Sequence, residues 1–70
     1  MLTNNEKLII LQNLISSIEN TQYMITQELN LELAVESPNS NIVDGYNQQL
    51  LDLSNKLNYL NGEVVKLNNE

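Results

Sequence analysis

Three carboxylates spaced by four, Glu28, Glu32 and Glu36, are the residues best placed to do chemistry in this 70-residue chain. Steps of four put side chains on one face of a helix. Such a ladder could hold a hard divalent cation or supply a paired acid and base. The cation reading is opposed by number, because one helix face rarely gathers the six oxygens a hard cation needs. The di-iron bundles that use such glutamates also carry a His three positions on, and this chain has no His at all. Nothing in the surrounding residues marks one carboxylate as buried and its neighbour as solvated, which acid–base work requires. The row therefore reads as a solvated face beside a loop, with no metal, no cofactor and no catalytic residue expected.

Other chemistries fall to composition. With no Cys there is no thiol nucleophile, zinc knuckle or disulfide, and two scattered glycines build no phosphate cradle. Tyr23 and Tyr59 could anchor a partner, but amphipathic rings lying along a helix surface are the simpler reading. Nine acidic residues against three Lys and no Arg give a net charge of −6, which opposes binding to nucleic acid or anionic lipid. The longest unbroken apolar run, Leu8 to Leu11, is far short of the ~20 residues a bilayer span needs. A non-enzymatic, soluble, cytoplasmic protein is the expectation. Asn matches Leu at thirteen residues each, a bias read as the mark of an AT-rich genome because the Asn residues interleave with Leu and Ile.

The elements that would position these side chains are two helices. Ser37-Pro38-Asn39-Ser40-Asn41 gathers the single Pro among small polar residues, which is loop chemistry. Helix 1 is expected over about 4–35, the loop over about 37–41 and helix 2 over about 42–68, all in one domain. Thr3 and Glu6 form a capping box at the first start; Ser40, or Asn41 with Asp44, is the expected cap of the second. Asn61-Gly62 would be a turn signal elsewhere, but Leu60, Val64 and Leu67 keep phase across it, so the helix should continue.

Alternating steps of three and four define an apolar seam on each helix. In the second it runs through Val43, Tyr46, Leu50, Leu53, Leu57, Leu60, Val64 and Leu67. In the first it runs through Leu8, Leu11, Ile15, Ile18, Gln22, Ile25, Leu29 and Glu32. This is the a/d pattern of a coiled coil. If the chain folds back at Ser37-Pro38, Leu8 meets Leu67, Leu11 meets Val64, Ile15 meets Leu60, Ile18 meets Leu57, Gln22 meets Leu53, Ile25 meets Leu50, Leu29 meets Tyr46 and Glu32 meets Val43. Every pair sets an a against a d, and the mirror falls inside the loop chosen on turn chemistry alone. An all-α, antiparallel two-helix hairpin follows, with arms of about 45 Å. Gln22 either reaches out to the edge of this seam or forms a buried polar layer that fixes register.

Helix 1 carries a second stripe, Ile10, Leu14, Thr21, Met24, Leu31 and Val35, interrupted by Ser17 and Glu28. Together the two stripes span about 160° of helix, wider than one partner helix covers. Helix 2 has only scattered Leu51, Tyr59 and Val65 outside its seam. Helix 1 should therefore be the inner helix, with Ile10, Leu14, Met24, Leu31 and Val35 against a second protein surface. The simplest such surface is another copy, giving a homodimer and a four-helix bundle; an unidentified protein partner would serve as well.

Leu14-Ile15-Ser16-Ser17-Ile18-Glu19-Asn20, the Pro-Asn loop and Leu50-Leu51-Asp52-Leu53 resemble small helical-hairpin proteins of tailed phages that infect marine cyanobacteria. The resemblance spans most of the chain and implies a viral origin, but no functional residues to carry over. The function expected is a small self-associating adaptor or regulator of another protein. A structural component of a virion or larger assembly and an acidic DNA-mimic inhibitor are the alternatives.

Overall fold

In the computed structural model, which describes all residues from Met1 to Glu70, two helices lie antiparallel in a rod of 53 × 17 × 15 Å. Helix α1 covers Asn4–Leu33 and helix α2 covers Ser40–Asn68, and there are no strands. The α1 start uses the box expected from its residues. Thr3 Oγ1 accepts from the Glu6 amide at 3.1 Å, and Glu6 Oε1 accepts from the Thr3 amide at 3.0 Å. Two donors that α1 would otherwise orphan are thereby satisfied.

Both helix ends at the loop differ from expectation. Helix 1 stops at Leu33 rather than near residue 35, with Ala34 as its C-cap, so Val35 and Glu36 belong to the turn. Helix α2 begins at Ser40 rather than near residue 42, and its cap is Asn39, not Ser40 or Asn41. Asn39 Oδ1 accepts from the amides of Asn41 and Ile42 at 2.9 and 3.4 Å. The Asn39 amide in turn donates to Glu32 Oε1 at 2.9 Å, so a carboxylate from the last turn of α1 holds the first residue before α2. Pro38 contributes the other constraint, since it has no N–H and pushes Ser37 away from helical geometry. Six residues close the turn with none in the left-handed region.

Through Gly62 α2 runs on unbroken. A methyl group added at Gly62 or at Gly45 would meet nothing within 4 Å, so neither glycine is required by packing.

The register of the hairpin shows in the grooves between its helices. Leu11 lies beside Glu63 and Leu67, Ile18 beside Lys56 and Leu60, and Ile25 beside Gln49 and Leu53. In each case the α2 residues flank the position that mirror numbering assigns as the mate. At the open end, Asn4 Nδ2 donates to Glu70 Oε2 at 3.2 Å. The seam residues of both helices, from Leu8 to Glu32 and from Val43 to Leu67, are at least half-buried, yet only Ile25 and Leu60 fall below a tenth exposed. Two helices alone shield their seam from two sides and leave its flanks wet.

Candidate interaction surface

Each helix presents one face to the other, and what remains on the outside of α1 is unusually apolar. Ile10, Leu14, Met24, Leu31 and Val35 are all exposed, from 46 % at Ile10 to 70 % at Leu31. Four of them stand on α1, and Val35 follows just beyond its end. Thr21, at the middle of this stripe, is half-buried and its hydroxyl donates to the Ser17 carbonyl at 3.0 Å. That bond within the helix satisfies the polar atom and leaves the Thr21 methyl as the group available to a neighbour. Ile10 and Thr21 also line two of the three grooves between the helices, so the stripe is continuous with the edge of the seam.

Elsewhere exposed apolar side chains are dispersed. Ile42, Leu51, Tyr59 and Val65 on α2 do not step by three and four; Leu33, Ile9 and Tyr23 add points around α1, and Leu2, ahead of it, borders the groove that Ile10 also lines. Scattered exposure of this kind is normal for a protein surface. Tyr23 and Tyr59 are each about two-thirds exposed, and Tyr59 also borders the groove beside Ile18 and Leu60.

The acidic row does not survive as a ladder. Because α1 ends at Leu33, Glu36 leaves the helix and cannot continue the face of Glu28 and Glu32. The three carboxylates take three separate positions: Glu32 holds the Asn39 amide, Glu28 is near enough to Tyr46 to act on its phenol, and Glu36 is exposed in the turn. No group of three acidic side chains converges on a point where a metal ion could bind. Burial, and then the neighbouring carboxylates of Glu28 and Glu32, raise the Tyr46 phenol above its ordinary value of 10.0. Sequence reasoning missed both the Glu32 clamp and the Glu28–Tyr46 contact. The available signal was that both glutamates sit within two turns of the loop, where the returning strand of chain is close.

Gln22 is half-buried in the seam, and no side-chain polar atom anywhere in the protein is buried without a partner. Its amide forms no hydrogen bond within the chain, so it reaches the edge of the seam and water rather than building a buried polar layer.

Charge is divided along the rod. The loop half, residues 20–55, holds Glu28, Glu32, Glu36, Asp44 and Asp52 and no Lys. The other half holds Glu6, Glu19, Glu63 and Glu70 together with all three lysines. Only Lys66 is paired, with Glu63 at 3.3 Å, which leaves Lys7 and Lys56 without a carboxylate partner. No helix is long and apolar enough to cross a membrane. No protein-family model, curated protein or solved structure matches the chain.

Proposed function

We propose that this hairpin is a non-enzymatic protein-interaction module that completes its own fold by pairing with a second copy through the outer face of α1. The observation that carries this reading is the exposed stripe of Ile10, Leu14, Met24 and Leu31 on a helix whose neighbouring face is already covered by α2. A folded protein with two buried residues in seventy has little interior of its own, and covering that stripe is the most economical way to gain one. Two hairpins joined along α1 make a four-helix bundle, with the two α2 helices outside. The outer surfaces of that bundle would then meet the target of a small adaptor or regulator, acting in the cytoplasm, a host's if the chain is viral.

A compact protein of 8.0 kDa exposes about 4,450 Å² by size scaling, whereas this hairpin exposes 5234 Å². The excess of about 780 Å² is close to the ~800 Å² that one partner contributes to an ordinary stable interface. Sedimentation equilibrium tests the reading. The expected mass at micromolar concentration is twice the chain's 8.0 kDa. A well-folded monomer would defeat it, and open-ended growth with concentration would point instead to a structural component of a larger assembly.

A further inference from the structure

Resting on the self-association proposed above, we infer that the two copies pair antiparallel along α1, about a two-fold axis between Gln22 and Tyr23. The stripe is its own mirror image. Outward from that point come Thr21 and Met24, then Ser17 and Glu28, then Leu14 and Leu31, then Ile10 and Val35. Folded on itself antiparallel, it sets Leu14 against Leu31, brings Ile10 level with Val35 in the turn and the Thr21 methyl against Met24, and puts its two polar interruptions, Ser17 and Glu28, at the same level, with Glu28 at the edge toward its own Tyr46. A two-fold interface requires this self-complementarity, because residue i meets j wherever j meets i. The parallel alternative sets each residue against its own copy, which brings the two Glu28 carboxylates to the same level of the contact.

Charge selects the same direction. From the lysines and carboxylates of each half, residues 20–55 carry −5 (five acids, no Lys) and the remainder −1 (four acids, three Lys). Parallel pairing lays the two strongly acidic halves side by side, while antiparallel pairing lays each against the nearly balanced half of the other copy. Lys7, which has no carboxylate partner within its own chain, then comes beside the turn of the second copy, where Glu36 is also unengaged. The helix dipoles of the two α1 segments oppose one another in this arrangement, which adds in the same sense.

The absence of Cys makes the register readable by single introduced thiols. In the antiparallel register Leu14 of one copy faces Leu31 of the other, while the two Leu14 residues stand seventeen positions apart, about 26 Å along the helix. A disulfide needs α-carbons within about 7 Å. Under oxidising conditions neither Leu14→Cys alone nor Leu31→Cys alone should cross-link. An equimolar mixture should link about half of its chains, the share in mixed pairs when copies associate at random. Circular dichroism and sedimentation of the reduced variants check folding and association. Should either apolar substitution prevent folding, Ser17→Cys with Glu28→Cys probes the same register at polar positions that are exposed in the hairpin itself. Cross-linking of Leu14→Cys with itself would overturn the antiparallel register while leaving self-association intact. A dimer with no cross-link in any of these arrangements would overturn the α1 face as the contact, and a monomeric wild-type chain would overturn both readings.

Discussion

Leu14→Asp should weaken self-association by a factor of at least ten, and Leu51→Asp should leave it unchanged. Full burial of a Leu is worth about 1.5–3 kcal/mol, and Leu14 has 47 % of its surface still to bury. Losing that remainder costs roughly 0.7–1.4 kcal/mol per copy, and two-fold symmetry doubles it to about 1.5–3 kcal/mol, or ~10- to 100-fold in the dissociation constant. The introduced carboxylate adds a desolvation cost on top, so this is the lower limit. Leu51 is the natural control, because at 54 % it is no less exposed but stands on α2, away from the stripe. Sedimentation equilibrium across a concentration series reads both constants, with circular dichroism confirming that helix content of the associated form is retained. Equal weakening by the two substitutions would mean that the contact does not run along α1.

Three further outcomes concern the hairpin itself. Gly62→Ala should raise stability by about 0.8–1 kcal/mol in urea unfolding, since the helix continues through Gly62 and an added methyl meets nothing; a loss would mean that the site is tighter than its open surroundings indicate. Asn39→Ala should lower stability by about 1 kcal/mol through loss of the α2 cap, and an unchanged urea midpoint would remove Asn39 from that role. Stability should fall at both ends of the pH range. The Glu6 carboxylate is held below its ordinary value of 4.5 by accepting from the Thr3 amide and then by the Thr3 side chain, so its contribution is present above that value and lost as pH falls. The Tyr46 phenol is raised, so its contribution is present below 10.0 and lost as pH rises, when the unfolded chain ionises first. Tyr46→Phe should flatten the alkaline fall, and Glu6→Gln the Glu6 part of the acidic one. A persistent alkaline slope in Tyr46→Phe would assign it to another group.

The two helices, their antiparallel pairing and their register were legible because each rests on a periodic signal repeated many times. A single misplaced residue such as Gln22 or Gly62 does not disturb a phase kept by Leu57, Leu60, Val64 and Leu67. The loop boundaries were not legible, because they are decided by two hydrogen bonds that no period encodes. Glu32 reaches seven residues forward to the Asn39 amide, and Asn39 takes the cap from the equally eligible Ser40 and Asn41. That shift in turn took Glu36 off the helix face it was expected to share with Glu28 and Glu32. The outer stripe was legible as a pattern of residue types. Its continuity with the interhelical grooves at Ile10 and Thr21, and the satisfied Thr21 hydroxyl, required coordinates.

Isotope-filtered nuclear Overhauser spectroscopy on an equal mixture of labelled and unlabelled chains tests most directly whether a second copy covers the face of α1. Intermolecular contacts are expected from the methyl groups of Leu14 to those of Leu31, and from Thr21 to Met24, with none from Leu51 or Val65 on α2. Intermolecular contacts confined to α2, or none at a concentration where the hairpin is folded, would contradict pairing through α1.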